Sequence, residues 1–373
     1  MDIVWDAMTF PVELLVQTAS HLSARDLGSF RCTCRGFAEL SSHLIPRNGL
    51  TILDTTQGLN ELLELLKRAD IANNTRKLVV HSAEWDYCQR HEWERYYLSY
   101  KNYGSNIDKV YNEYKKFIKA EGERTCPTDI ERFSKVLGRL PALESITVGS
   151  LPCYPWNPLP NRQYSKLWRE IGVLPLPNTS IEKIVQIILG VFQSSLHIKK
   201  MSIMGSINPT KLQVNWSSTF FESIQYLQIE SLCIYDDEKR TQQFLLAFPN
   251  VVELTLAFGD IRPPTDTLLG PLYWKSLKLM ELKSIQATED DIFKLLSSHT
   301  LSLKKFHIRD SYLTRGSWMS LLTRMRNLRL LPKIEAEGKL YEPSTNTTIY
   351  LNRSRKAQLA HFLTDGTAAW PFI

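Results

Sequence analysis

Histidine and cysteine side chains are the first candidates for chemistry, because imidazole and thiolate groups bind metals and act as nucleophiles or bases. His81, Cys88, His91 and Cys126 form the set that comes nearest to a zinc site. Their separations of 7, 3 and 35 residues match no common arrangement of zinc ligands. The sequence therefore predicts no metal and no cofactor.

Catalytic motifs are missing from the chain as well. It contains no phosphate-binding loop of the G-x-x-x-x-G-K-S/T type, no G-x-G-x-x-G after a strand and no G-x-S-x-G elbow. Acidic runs at 236–238 and 289–291 precede helical patterns, where negative charge stabilises the start of a helix. Cys32 and Cys34 fall in a helical segment, and Cys34 fits a core position there. We therefore expect a protein that is not an enzyme.

The composition is that of a globular protein, with 43% hydrophobic and 23% charged residues in a chain of 373. A net charge of +6 is too small by itself to indicate nucleic acid as a partner. No apolar run is long enough to predict a membrane span, and residues 1–10 lack the features of a signal peptide. Six scattered cysteines are typical of an intracellular protein, so we expect a cytoplasmic and/or nuclear location.

Residues 10–45 form a short helical segment that precedes the rest of the chain and is the starting point for its organisation. Their apolar spacing predicts three short helices, the first opened by Pro11 and Glu13 and the second capped by Ser23 and Asp26. The third is predicted over 33–45. The apolar stripes contain Leu14, Leu15, Thr18 and Leu22 in the first helix, Leu27 and Phe30 in the second, and Phe37, Leu40 and Leu44 in the third. A unit this small buries little surface alone, which favours a partner.

The order of these residues resembles an F-box motif. The matching stretches are Phe10-Pro11-x-Glu13, Leu14-Leu15, Leu22-Ser23-x-x-Asp26-Leu27, Phe30-Arg31-x-Thr33-Cys34-Arg35 and Phe37. Phe10 replaces the usual leucine, and Phe37 stands where tryptophan is common. The resemblance implies docking to a Skp-family adaptor and, through it, to the cullin scaffold of a ubiquitin ligase. The residues implied in adaptor binding are Phe10, Pro11, Leu14, Leu15, Leu22, Leu27, Phe30, Cys34 and Phe37. The alternative is a three-helix cap that packs its apolar stripe on the next domain.

A repeat dominates the rest of the chain. The pattern apolar-x-x-apolar-x-apolar starts at Ile198, Ile224, Val251, Leu277 and Leu303, which lie 26, 27, 26 and 26 residues apart. This spacing lies within the range of leucine-rich repeats, roughly 20–29 residues. Earlier members start at Thr75 and Leu143, and a weaker one is predicted over 328–334. Helical patterns separate them, with caps predicted at Thr128, Ser180, Asp237 and Thr288.

The predicted fold is of the α/β class, with a small N-terminal three-helix F-box followed by a leucine-rich-repeat-like solenoid. Parallel strands form its inner sheet and helices its outer layer. We place the F-box domain at 1–46 and the solenoid at 47–373, with insertions at about 82–127 and 149–179. The layout is similar to that of fungal F-box proteins of unknown substrate.

The two insertions are the candidate recognition elements. The first is rich in aromatic residues and predicts two helices joined near residue 104, whereas six prolines in the second argue against regular structure through most of it. Aromatic residues are common at interface hot spots, so Trp93, Tyr97, Trp156 and Trp168 are candidates to bind a protein substrate. Alternatively, the aromatic residues pack on the solenoid.

The chain end predicts a last strand over 347–351, a last helix over 355–363 and an apolar tail. This tail either caps the repeats or docks elsewhere. Loose basic clusters, such as Lys199-Lys200 and Lys304-Lys305, form either a solvated face or a surface for an acidic partner or nucleic acid. Together these features predict a non-catalytic substrate-recognition subunit of a Skp–cullin–F-box ubiquitin ligase. The alternative is a stand-alone protein-interaction scaffold.

Overall fold

The arrangement of helices and strands was taken from a computed structural model of the chain. The structure describes residues 11–22, 24–41, 44, 49–85, 87–100, 107–150, 162–173, 181–192, 197–216, 220–235, 237–261, 267–327, 334–342, 347–365 and 367–372. The chain forms two compact units, of which the first comprises 1–146 and 153–176 and the second 147–152 and 177–373. The F-box segment and the residues that follow it as far as Ile146 belong to the first unit, so the predicted domain boundary at residue 46 lies inside one compact unit and stays a prediction.

The first unit is mixed α/β and opens with three short helices. Its elements are α1 (Val12–Ser20), α2 (Ala24–Thr33), α3 (Arg35–Leu40), β1 (Leu50–Leu53), α4 (Thr56–Leu65), α5 (Ala69–Ala72), β2 (Lys77–Ser82), α6 (Arg90–Tyr100), α7 (Ile107–Gly122), α8 (Cys126–Gly138), the start of β3 (Ser145–Ser150) and α9 (Arg162–Ile171). Strand β1 pairs with β2 in parallel. The buried side chains of Leu78 and Val80 confirm the apolar positions predicted from Thr75 onward.

The second unit carries the regular part of the repeat. Its elements are the remainder of β3, then α10 (Glu182–Phe192), β4 (Lys200–Ile207), β5 (Tyr226–Ile234), α11 (Glu238–Leu246), β6 (Glu253–Ile261), β7 (Leu279–Lys283), β8 (Gln286–Ala287), α12 (Glu289–Ser298), β9 (Lys305–Leu313), α13 (Trp318–Asn327), β10 (Ile334–Glu342), β11 (Thr347–Leu351) and α14 (Arg353–Thr364). No helix within the described ranges is both long and apolar enough to cross a membrane.

The repeat spacing is reproduced in the strand pairing. Lys200 lies opposite Tyr226, Tyr226 opposite Glu253, Glu253 opposite Leu279, and Leu279 opposite Lys305, all in parallel. The predicted apolar positions face one side, where each is at most 2% exposed: Ile198, Met201, Ile203, Ile224, Leu227, Ile229, Val251, Leu254, Leu256, Leu277, Met280, Leu282, Leu303, Phe306 and Ile308. Alternation at period two therefore puts one apolar row of every strand into the core.

A shared acceptor marks the beginning of several strands of the repeat. The carbonyl oxygen of Lys199 accepts two backbone N–H groups of the next repeat, from Gln225 at 2.8 Å and Tyr226 at 3.0 Å. The carbonyl of Lys278 does the same for Lys304 and Lys305, at 2.8 and 3.0 Å. Neighbouring repeats are thus joined before their ladders begin, which fixes their register.

The helix starts agree with the prediction at some positions and differ at others. Asp237 and Thr288 cap α11 and α12 as predicted. Thr128 is not the cap of α8, because Thr125 takes that position and Pro127 occupies the first turn, where proline is tolerated. The strand predicted over 328–334 overlaps the described residues only at Ile334, from which β10 is described. Residues 328–333 and the predicted cap at Ser180 lie outside the described residues.

The second insertion contains a helix that was not predicted. The proline-free stretch between its two proline clusters forms α9, which ends at Ile171. Proline excludes a helix only close to its own position, so the free stretch follows ordinary helical preferences. Helices α6 and α7 of the first insertion confirm the predicted pair, and their connection at 101–106 lies outside the described residues.

The sheet of the second unit ends differently from the way it begins. Strand β11 pairs with β10 in antiparallel register, from Gly338 opposite Leu351 to Glu342 opposite Thr347. Helix α14 follows and buries Leu359 and Phe362. The tail folds back on this helix, with the rings of Trp370 and Phe362 5.2 Å apart. The contact agrees with the predicted capping role of the tail.

Candidate adaptor-binding surface

Helix α1 divides its apolar residues between a buried and an exposed side. Pro11 precedes the helix, and its carbonyl accepts the backbone N–H groups of Leu14 and Leu15 at 3.1 and 3.3 Å. Ala19 is buried and Leu15 half-buried, one helical turn apart. Leu14 and Val12 are 51% and 50% exposed. The predicted stripe is therefore corrected: Leu15 and Ala19 face the core, whereas Leu14 faces outward.

A small core holds the three helices together. Ala19, Leu27 and Leu44 form its buried cluster, against which Leu22 and Phe30 pack. The rings of Phe30 and Phe37 stack with centroids 4.3 Å apart and planes 2° apart, and both side chains are half-buried. Since so few residues are fully buried, these helices gain little stability from their own core.

Cys34 has a different role from the predicted core position. The side chain is exposed, and its sulfur accepts the backbone N–H of Phe37 at 3.4 Å as the N-cap of α3. Arg31 fixes the same helix from the other end by donating to the carbonyl of Ala38 at 2.7 Å. Ser41 adds a hydrogen bond from its hydroxyl to the carbonyl of Phe37.

The predicted adaptor-binding residues thus separate into three groups. Pro11, Leu14 and Cys34 are exposed, while Leu15, Leu22, Phe30 and Phe37 are partly buried and Leu27 is buried. Phe10 lies outside the described residues. The sequence reasoning missed Val12, an apolar residue in the first turn of α1 that is as exposed as Leu14. We call Pro11, Val12 and Leu14 the α1 surface.

Of the four predicted substrate-binding residues, the structure describes the side chain of Trp93. The Trp93 side chain is fully buried, and its indole N–H donates to the carbonyl of Ile171 at 3.0 Å. Its burial corrects the prediction that Trp93 contacts a substrate, because no part of the indole reaches the surface. The side chains of Tyr97 and Trp168, and all of Trp156, lie outside the described residues.

Trp93 belongs to an aromatic cluster that joins α6, α7 and α9. Its ring lies 5.2 Å from that of Tyr111 and 6.3 Å from that of Tyr114. The Tyr114 hydroxyl accepts the backbone N–H of Cys88 at 2.7 Å, and burial raises the pKa of this phenol. For this part of the first insertion, the alternative in which the aromatic residues pack inside the fold therefore holds.

Comparison with known proteins agrees with the geometry of α1 to α3. The family model of the F-box domain matches residues 9–48. The match supports an F-box protein, and an F-box domain indicates binding of a Skp1-type adaptor in a cullin complex. A search of curated proteins found no match to the chain.

Proposed function

We propose that the chain is a non-catalytic substrate-recognition subunit of a Skp–cullin–F-box ubiquitin ligase. The F-box docks on a Skp-family adaptor, and the remainder of the chain holds a protein substrate at the distance that ubiquitin transfer requires. The role places the protein inside the cell. We also propose that the parallel repeat is a leucine-rich-repeat-like solenoid of the fungal F-box type, which the strand spacing of 26 or 27 residues supports.

The observation that carries the adaptor proposal is the exposure of the α1 surface. Val12 and Leu14 expose half of their side chains to solvent, although the described core of the three N-terminal helices consists of only a small apolar cluster. An exposed apolar group next to polar neighbours is typical of a binding site for another protein. The F-box match supports a Skp-family adaptor as that protein.

The alternative function, a stand-alone scaffold capped by the three helices, predicts a different burial of the apolar residues of α1. A cap would bury its apolar stripe against the next repeat, so that Leu14 would be part of a core. Its 51% exposure favours the adaptor. The proposal therefore gives α1 an intermolecular partner.

Co-purification of the full chain with a Skp-family adaptor tests the proposal. Replacing Val12 and Leu14 by aspartate should abolish the complex, because burying a carboxylate in an apolar interface is strongly unfavourable. Leu301→Asp is the matched control, since Leu301 is 96% exposed in the second unit. It should leave the complex intact.

Normal adaptor binding by a folded Val12→Asp/Leu14→Asp protein would remove the α1 surface from the interface. If the folded wild-type chain also formed no complex, the scaffold would replace the ligase subunit as the proposed function. Circular dichroism of each variant separates loss of binding from loss of folding.

A further inference from the structure

The two insertions that interrupt the repeat converge on one groove. Helix α7 comes from the first insertion and α9 from the second, and both face α4 of the first unit across a groove of about 780 Å³. Sites for small ligands or peptide side chains occupy about 300–1,000 Å³, so the groove is large enough to hold one. We propose that it binds a basic segment of the protein substrate, in which lysine or arginine side chains alternate with apolar ones.

The floor of the groove is apolar. Phe117 and Ala120 of α7 lie on one side, and Leu167 and Ile171 of α9 on the other. Leu167 and Ile171 are buried, whereas Phe117 keeps part of its ring accessible. A floor of this kind favours aliphatic side chains, since their burial removes apolar surface from water.

The rim of the groove is acidic. Glu61 and Glu64 of α4, Glu113 and Glu121 of α7 and Glu170 of α9 face it, and Lys116 is the one basic residue among the described lining. A local excess of carboxylates is notable because the whole chain has a net charge of +6. The five carboxylates outnumber the four basic side chains that pair with them, so the groove favours a cationic partner.

Each of the five carboxylates has a basic partner, since Glu64 pairs with Lys67 at 2.6 Å and Glu121 with Arg124 at 2.8 Å. An excess of negative charge arises where two carboxylates share one cation. Glu61 and Glu170 share the ammonium group of Lys166, at 2.8 and 4.0 Å. Glu113 pairs with Lys116 at 2.8 Å, and both side chains remain largely exposed, so solvent weakens that pair. Two carboxylates on one ammonium group have a net negative charge, which a lysine or arginine of the partner would neutralise.

This inference rests on the proposed function, since it names the substrate class of the same receptor. The groove and the F-box lie in the same compact unit but are formed by different helices. Adaptor binding and peptide binding can therefore be measured independently on one protein.

The test uses fluorescence anisotropy with the purified full chain. The probe is a fluorescein-labelled peptide of nine residues in which lysine alternates with leucine, and the comparison peptide has glutamate in place of lysine. We expect the basic peptide to bind and the acidic one not to bind. Raising the salt concentration should weaken binding, because ionic contacts are screened.

Charge reversal locates the site. Glu113→Lys/Glu170→Lys should weaken binding of the basic peptide by about tenfold or more, the effect of losing two ionic contacts. Glu123→Lys/Glu131→Lys is the matched control, because it makes the same change in net charge at exposed positions outside the groove. Its affinity should stay within roughly twofold of wild type.

Three results of these binding measurements would overturn the inference. Equal binding of both peptides, no binding of the basic peptide, or equal effects of the two double variants would each exclude a basic segment in the groove. If the same protein still co-purified with the adaptor, the proposed function would stand while the inference failed. If instead the basic peptide bound in the groove but the adaptor did not co-purify, the groove would still bind a basic segment, and the proposed function would fail.

Discussion

Replacement of Arg124 by methionine is the perturbation for which the structure gives the clearest magnitude. The guanidinium group is 4% exposed and binds three carboxylates, those of Asp54, Glu121 and Asp129. It also donates to the carbonyl of Asp54 at 2.7 Å. The group thereby ties the ends of β1 and α7 to the start of α8.

Methionine matches the length of the arginine stem but carries no charge. Burial disfavours the charged guanidinium, yet the carboxylates of Asp54 and Glu121 outweigh it and raise the pKa of Arg124. Without the cation, Asp54 and Asp129 are buried carboxylates that face each other. Removing one partner of a buried ion pair costs about 3–5 kcal/mol. We expect Arg124→Met to lose that much of the free energy of unfolding of the first unit.

Urea unfolding followed by hydrogen–deuterium exchange of β1 and α8 measures this loss directly. At a slope of roughly 2–3 kcal/mol per molar urea, the midpoint should fall by about 1–2 M. Arg124→Lys should also be destabilised, because an ammonium group cannot reproduce the planar fork. Arg90→Met is the control: Arg90 pairs with two carboxylates but is 52% exposed, so its midpoint should not change.

An unchanged midpoint for Arg124→Met would refute the reasoning. It would mean that the carboxylates around Arg124 become protonated or hydrated without a loss in the free energy of unfolding. The ion pairs of Arg124 would then not contribute to the stability of the first unit. Both arginines make several ion pairs and differ in burial. The Arg90 control therefore shows whether burial, rather than the number of ion pairs, sets the loss of stability.

Two further predictions concern stability. Gly58→Ala should destabilise the first unit although alanine favours helices, because the added methyl group would collide with the backbone carbonyl of Leu53. Gly138 has open space around it, so Gly138→Ala should instead gain about 0.5–1 kcal/mol of stability in the same urea titration. Burial lowers the pKa of His299 below its ordinary 6.5, so the folded state holds the neutral imidazole while the unfolded state takes up a proton as the pH falls. Stability from this group is present above pH 6.5 and lost below it, and wild type should therefore lose more melting temperature than His299→Gln between neutral and mildly acidic pH.

The regular part of the fold was predictable because local pattern and long-range pairing obey the same period. Each apolar triplet, such as the one at Ile224, sets both the strand and the row that it buries. A spacing of 26 or 27 residues then leaves parallel pairing as the solution for neighbouring strands.

The sites were less predictable, because exposure depends on residues distant in sequence. Trp93 is buried because α9 supplies the carbonyl of Ile171, 78 residues further along the chain. Cys34 fits a core position by spacing, and only the backbone conformation makes it a cap. Leu14 and Leu15 are adjacent leucines with equal hydrophobicity, yet Leu14 is exposed and Leu15 half-buried, a difference set by how α1 lies against its neighbours.

The reversal of direction at β11 has a consequence for how such a chain lengthens. A strand that runs parallel to its neighbour offers the next copy the same donor and acceptor positions, so whole units can be added by gene duplication. Strand β11 presents the opposite polarity, and α14 follows it immediately. A unit duplicated after β11 would find no matching edge. Units are therefore more easily gained or lost among the parallel strands, such as those between β4 and β10, where each junction accepts a neighbour of the same polarity.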